Sequence, residues 1–346
     1  MIIVIINRKT VEQSLPINAN AGFPKEKNNY PELPDICSYK DNEPVVCCTE
    51  CNISDAERYR NTAIGPLATL TDTKGPVAWS KCLDYFHRLP YPCRGQGNFE
   101  ALLGYGDDDQ STQWLCGGTV ISERFILTAA HCISTKALGN VSYAALGLLK
   151  RTDPKELWNI HKIKRIIPHP EYKTPSKYND IALLETETEI NFATNLLPAC
   201  LDIGKESPRR AEASGWGRLG HMMGLADTLQ AVNLQEFEET ECAALFPPHR
   251  HLKHGYDHEK QMCYGNHKEI VDTCEGDSGG PLQTNQFKCQ YTVVGVTSFG
   301  KDCGILGSAG MYTRVSYYVP WIEGIVWPEE TEQRRKQDNL WLDSLN

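Results

Sequence analysis

The sequence predicts an all-β fold, of the sandwich or barrel kind, from about residue 99 onward. Short apolar runs fill this stretch: FEALLGY, GGTVISERFILTAA, VSYAALGLL, KIKRIIPHP, NDIALLE, YTVVGVTSFG and MYTRVSYYV. Gly and Pro turns separate them, which is how many short strands announce themselves. The 346-residue chain is 40% hydrophobic, enough for one large or two modest cores. It also carries 14 cysteines, many for a cytosolic chain, which predicts an oxidising compartment and several disulfides.

The elements follow in order. Residues 1–30, opening on MIIVIINRKT, show little periodicity. The apolar start is shorter than the roughly 7–15 residues of a signal-peptide core, so this segment reads as unstructured or mis-assigned. Residues 31–51 hold Cys37, Cys47, Cys48 and Cys51, a density that predicts a small disulfide-held module. Zinc would need a second regular Cys/His pair, and none is nearby. Residues 52–95 read as a linker that includes Cys82. The strand-rich domain occupies 96–327 and closes on a helix at YYVPWIEGIVW. Residues 328–346 are a charged tail, expected to be mobile or weakly docked. No internal repeat is visible. The formal net charge of −9 argues against nucleic acid or an anionic membrane as partner. No apolar run approaches the ~18 residues of a membrane span. Sequons at Asn52 and Asn140 fit a secreted chain but arise often by chance.

The chemistry centres on VDTCEGDSGGPL, residues 271–282. Gly276-Asp277-Ser278-Gly279-Gly280 formally matches the nucleophile elbow of α/β-hydrolases, whose catalytic histidine follows the serine in the chain. Here the last histidine is His267, so a histidine base must come from upstream. LTAAHC offers His131, where a bond from Cys132 to Cys116 would pin the backbone. A third group must orient the imidazole. NDIALLE supplies Asp180 at the lip of an apolar strand, where a carboxylate is costly unless it is hydrogen-bonded. Taken singly, His131 is more often a structural histidine and Asp180 a solvated strand start.

Together, LTAAHC, NDIALL and DTCEGDSGGPL resemble the three signature segments of the trypsin-like serine proteases, over residues 99–327. The resemblance implies two six-stranded antiparallel β-barrels with the active site between them. It implies Ser278 as nucleophile, His131 as general base and then acid, and Asp180 as orienting acid. The N–H groups of Gly276 and Ser278 would form the oxyanion hole. Asp272, six residues before the serine, would lie at the base of a pocket walled by Ser298, Phe299, Gly300, Gly310 and its neighbours Met311 and Tyr312. Such a pocket takes a substrate Arg or Lys. The implied disulfides are Cys274–Cys303, Cys242–Cys263 and Cys82–Cys200, the last tethering an N-terminal segment. Cys51, Cys93 and Cys289 receive no partner. His249, His251, His254 and His258 lie between Cys242 and Cys263. They could suggest a metal, but they read better as a solvated loop contacting substrate at the cleft rim. No metal or other cofactor is expected.

ICSYKDNEPVVCCTE resembles the last part of a clip domain, the module on arthropod protease zymogens, with only its final three cysteines recognisable. The expected protein is therefore a secreted zymogen of an extracellular haemolymph cascade, of the kind serving melanisation, Toll signalling or innate immunity. Its partners would be a protein substrate, an upstream activating protease and a serpin inhibitor. A non-catalytic clip homologue usually loses a triad residue, and a digestive trypsin lacks the clip remnant. One departure stands out. The resemblance implies a new α-amine, released by cleavage before an Ile-Val-Gly-Gly-like start, that pairs with Asp277. The stretch YFHRLPYPCRGQGNFE has no such tetrapeptide. A cut after Arg94 leaves four residues before Phe99, a short reach at ~3.3–3.6 Å each. A cut after Arg88 exposes Leu89, followed by the rigid Pro90. A missing exon is the expected explanation, and it would also account for the lost clip cysteines.

Overall fold

The computed structural model describes residues 36–40, 43–46, 75–89, 99–108, 111–193, 195–204, 207–218, 220, 224–268, 273–285, 291–300 and 305–344. The chain divides into two units, Met1–Thr69 and Leu70–Asn346. In the first, β1 (Ile36–Lys40) and β2 (Glu43–Val46) form an antiparallel hairpin. Most of the expected clip module, Asn52, Cys51, Cys93, Cys289, Asp272 and Cys303 lie outside the described residues.

The second unit holds two closed six-stranded antiparallel barrels. The first comprises β3 (Glu100–Tyr105), β4 (Gln113–Val120), β5 (Phe125–Thr128), β7 (Gly139–Leu146), β8 (Asn159–Pro168) and β9 (Ala182–Thr186), with a two-residue strand, β6 (Ser134–Thr135), appended to β7. The order β3-β4-β5-β9-β8-β7 closes through pairing of β3 with β7, so no edge of this ring is left open. The second comprises β11 (Arg210–Gly215), β12 (Gln230–Glu236), β13 (Gln261–Gly265), β14 (Pro281–Thr284), β15 (Thr292–Gly300) and β16 (Ala309–Arg314). Its order β15-β14-β11-β12-β13-β16 closes through β15 and β16, and β10 (Cys200–Leu201) adds alongside β15 in parallel. Several strands, β3, β5, β9 and β13 among them, are buried along their whole length because one side faces a barrel interior and the other a neighbouring element, whereas β8 and β12 are mostly exposed or half-buried. All six residues of β3 and all four of β5 are buried.

The expected closing helix is α3 (Val315–Val326), following α1 (Pro76–Arg88) and α2 (Glu239–Leu245) in the chain. It packs Val315, Tyr318, Val319 and Ile322 into the core shared with the first barrel. The stretch expected to be linker contains α1, with Pro76 in its first turn, where a missing N–H costs nothing. The Ala78 N–H donates to Glu323 Oε1 of α3 at 2.5 Å, so a carboxylate meets the positive end of α1. Cys82 of α1 is bonded to Cys200. The charged tail is a helix as well, α4 (Pro328–Ser344), beginning at the proline that ends α3. Lys81 of α1 pairs with Glu330 at its start, 2.5 Å apart. Among the described residues, no helix is long and apolar enough to cross a membrane.

Candidate active site

Two paired strands deliver the imidazole and the carboxylate. Thr128 of β5 faces Ala182 of β9 across the ladder. His131 lies three residues beyond Thr128, on the short 3-10 turn Ala130–Ile133. Asp180 lies two residues before Ala182. The register of β5 and β9 thus brings two groups 49 positions apart to one end of the first barrel. Cys132 is disulfide-bonded to Cys116 of β4, and its carbonyl accepts the Tyr105 hydroxyl at 2.5 Å. Both contacts hold the histidine's turn in place.

Asp180 has no solvent exposure, and its partners account for its charge. Oδ1 accepts the His131 backbone N–H at 2.8 Å. Oδ2 lies 2.7 Å from His131 Nδ1 and accepts the Ser298 hydroxyl at 2.5 Å. Burial alone pushes the carboxyl's pKa up, but the attraction and hydrogen bonds of His131, with the Ser298 hydroxyl, outweigh it and hold Asp180 below the usual carboxylate range. The preceding residue is fixed too: Asn179 adopts a positive φ of 54° and accepts the Tyr318 hydroxyl of α3 at 2.9 Å.

Ser278 sits on the loop entering β14. Its carbonyl accepts the Gly117 N–H at 2.8 Å, and Cys132 Sγ lies 3.5 Å from the same oxygen and 3.8 Å from His131 Nε2. The backbone of Ser278 is therefore beside the imidazole. No hydrogen bond joins Ser278 Oγ to His131 in this structure; such bonds often tighten only when substrate binds. The N–H groups of Gly276 and Ser278 donate to no acceptor among the described residues. Two backbone donors of this kind, one of them the serine's own, are what an oxyanion needs. Gly276 has φ +102°, and a Cβ there would sit 2.9 Å from Gly217 Cα, so only glycine suits the position.

Asp277 is half-buried against Gly215 and Gly217. Oδ1 accepts the Gly217 N–H at 2.7 Å and Oδ2 the Cys274 N–H at 2.9 Å. Burial pushes its pKa up, and these two amides offset that only in part. In the expected pocket wall, Gly300 faces Gly310 across the β15–β16 ladder. Thr273, the neighbour of Asp272, reaches the space beside Gly310 and pairs with the Tyr312 hydroxyl at 3.0 Å. Ser298, read from sequence as pocket wall, turns its hydroxyl to Asp180. Phe299 is partly buried, edge-on to Phe246 with centroids 5.7 Å apart. Cys274 is disulfide-bonded, and Cys242 is bonded to Cys263.

Among the described residues, the one grouping with metal-ligand spacing is Cys116, His131 and Cys132. Both of its sulfurs are used in the disulfide, so no thiolate remains to bind an ion. Local sequence gave no sign of the Thr313 hydroxyl, which donates to the Asp180 carbonyl at 2.9 Å. Nor did it mark Gly215 and Gly217, which make room for Asp277.

Two closed barrels, an imidazole–carboxylate pair and a serine loop beside it define a class: a two-barrel serine hydrolase. A family model described as trypsin matches residues 94–322. Serine protease snk of Drosophila melanogaster is 32% identical over 312 residues, spanning 85% of this chain and 71% of its own. CLIP domain-containing serine protease C9 of Anopheles gambiae is 36% identical over 240 residues, 65% of this chain and 64% of its own. Serine protease filzig of Drosophila melanogaster is 32% identical over 223 residues, 61% of this chain and 12% of its own. The chain belongs to the trypsin family of serine proteases, and it is a serine endopeptidase.

Proposed function

We propose that this endopeptidase cleaves after Arg or Lys, through Ser278, His131 and Asp180, and that it is a secreted zymogen of the clip type acting in an extracellular cascade. The observation that carries the mechanism is the 2.7 Å contact between His131 Nδ1 and the buried Asp180, beside the backbone of Ser278. Asp180 holds the proton on Nδ1, which leaves Nε2 as the basic nitrogen. His131 Nε2 takes the Ser278 proton as Oγ attacks the scissile carbonyl. The amides of Gly276 and Ser278 receive the developing oxyanion, and each such donor is worth about 2.7–4 kcal/mol. The imidazolium then protonates the leaving amine, and water repeats the sequence on the acyl-enzyme.

Support for Arg or Lys comes from the place of Asp272 in the family motif and from the room left by Gly300 and Gly310. One relative's name, CLIP domain-containing serine protease C9, supports a clip-bearing protease. Asp277, half-buried with two amide donors, is suited to receive an ammonium after activation. The test is hydrolysis of Arg, Lys, Phe and Leu esters by activated chain, beside the Ser278→Ala and Asp272→Ser variants. Arg and Lys esters should be cleaved, Ser278→Ala should be inactive, and Asp272→Ser should lose orders of magnitude on Arg. Equal rates on Phe or Leu esters would refute the specificity. Absence of any active form would favour the non-catalytic cofactor reading.

A further inference from the structure

Two loops flank the cleft and interlock. The first, residues 173–178, leads into Asn179 and Asp180. The second, residues 247–256, lies inside the Cys242–Cys263 bridge. The Lys177 N–H donates to the His251 carbonyl at 2.9 Å, and Gln261 Nε2 donates to the Lys177 carbonyl at 3.1 Å. Tyr178 closes the joint: its hydroxyl donates to the Gly255 carbonyl at 2.7 Å and accepts the His254 N–H at 2.9 Å. Leu252 has no solvent exposure and anchors the second loop in a cluster with Phe246 and Met311.

Within the two spans every acid or base apart from histidine and tyrosine is a cation. Residues 173–178 and 247–256 contain Lys173, Lys177, Arg250 and Lys253 and no Asp or Glu, in a chain whose net charge is −9. None of these four forms an ion pair with a carboxylate among the described residues. His249, His251 and His254 lie among them. Two acids adjoin these spans: Glu171, which faces Lys260 at 4.0 Å, and Asp257, which accepts the Glu259 N–H at 3.1 Å and whose charge reaches Tyr178. At the cleft end, Lys177 Nζ rests over the Phe299 ring, 5.2 Å from its centroid, which holds the ammonium beside the site.

The adjoining strand edge is open. Pairing of β15 with β14 stops at Val296 opposite Pro281, and Thr297 bonds to Gly279 and Gly280. From Ser298 to Gly300, β15 pairs on one side only, with β16, among the described residues. An extended peptide can add to this edge.

We propose that residues 173–178 and 247–256 form a docking surface for an acidic stretch of the protein substrate, just before the cleaved bond, with Lys177 as its cleft-side end. The assignment to the preceding side rests on the pocket reading above, because the edge Ser298–Gly300, read there as pocket wall, directly follows Thr297, which bonds to Gly279 and Gly280 beside the serine. Charge complementarity of this kind sets partner choice and on-rate more than contact area does.

The test is binding to the full chain carrying Ser278→Ala, by fluorescence anisotropy. One labelled peptide has four Asp or Glu before an Arg, and a second has Asn and Gln there. The acidic peptide should bind about five- to tenfold tighter in low salt, and the gap should shrink in high salt. The exposed pair Arg250→Glu/Lys253→Glu should erase the gap, and adding Lys177→Glu should reverse it. Equal binding of the two peptides in low salt, or a gap indifferent to both reversals, overturns the proposal. So does tight binding of a sulfated polysaccharide, lost on the same reversals, if the two peptides bind alike. Changing the Arg of both peptides to Ala separates the two readings. Unchanged affinities count against the Arg pocket, while the acidic-to-neutral ratio still reports on the docking surface.

Discussion

Asp180 Oδ2 receives both His131 Nδ1, at 2.7 Å, and the hydroxyl of Ser298, at 2.5 Å. The carboxylate thus spans the barrels, since His131 leaves β5 of the first and Ser298 belongs to β15 of the second. Asp180→Asn keeps the shape but replaces an acceptor with an amide and frees the imidazole to take the wrong tautomer. Its kcat on an Arg amide should fall about 10⁴-fold. Ser298→Ala removes one hydrogen bond to a charged group, worth about 1.5–3 kcal/mol, and should cost kcat roughly tenfold or more. Steady-state kinetics on the pair checks both.

Gly217 is where a methyl group would meet Asp277. A Cβ there would lie 2.5 Å from three atoms of that carboxyl group. Gly217→Ala should displace Asp277 and loosen the turn carrying Gly276 and Ser278. The expected result is a loss of about 1–3 kcal/mol in stability and a fall in kcat of at least a hundredfold. Gly224→Ala meets nothing within 4 Å and should stay within about 0.5 kcal/mol of the parent. Denaturation midpoints and kcat, measured on both, provide the contrast.

How much could be read from the chain beforehand follows from the range of each signal. LTAAHC, NDIALL and DTCEGDSGGPL are local strings, and they locate His131, Asp180 and Ser278. Alternating apolar runs and turns identify β-structure but not the closure of β3 on β7, which depends on register between distant segments. The tail from Pro328 reads as mobile or weakly docked because its sequence EETEQRRKQDN has no apolar face. Its helix is supported by charged pairs such as Arg334 with Asp338, 3.0 Å apart. The role of Ser298 was hidden for a different reason. Its string, TSFG, is visible, but the direction of one hydroxyl is set by a partner 118 residues away.

Glu100 opens β3 as a buried carboxyl that accepts the Ser214 hydroxyl of β11. Glu212 and Tyr291 face it, and Glu212 in turn accepts from Gln283. Burial, with a smaller push from Glu212, raises its pKa to about 7 against the Ser214 hydrogen bond. A carboxyl raised in the folded state favours folding while protonated. That advantage is complete below the unfolded value near 4.5 and is lost as pH rises through about 7. Relative to Glu100→Gln, wild-type stability should therefore decline between pH 4.5 and 7 and run parallel above. Urea titrations across this range, comparing the two proteins, measure it, and a constant difference would contradict the burial of an ionisable Glu100.

The bond between Cys82 and Cys200 joins α1 to the strand beside β15. A cut after Arg88 should yield two polypeptides that separate on a gel only after reduction. N-terminal sequencing of the active heavy chain, compared with a transcript across residues 85–100, distinguishes a start at Leu89 from an additional Ile-Val-Gly-Gly-like segment. Recovery of Cys200 as a free thiol would remove the two-chain form.

The central claim is that Ser278 is the nucleophile and His131 its base. The most direct measurement is covalent labelling of activated protein with an Arg-directed phosphonate ester, followed by peptide mass spectrometry. The predicted result is one phosphonyl group per chain, on Ser278 in the peptide containing DTCEGDSGGPL. Ser278→Ala should carry none, and His131→Ala should label at least a thousandfold more slowly, on the scale of a lost triad base. Labelling at another residue, or equal labelling of the His131→Ala protein, would contradict the assignment.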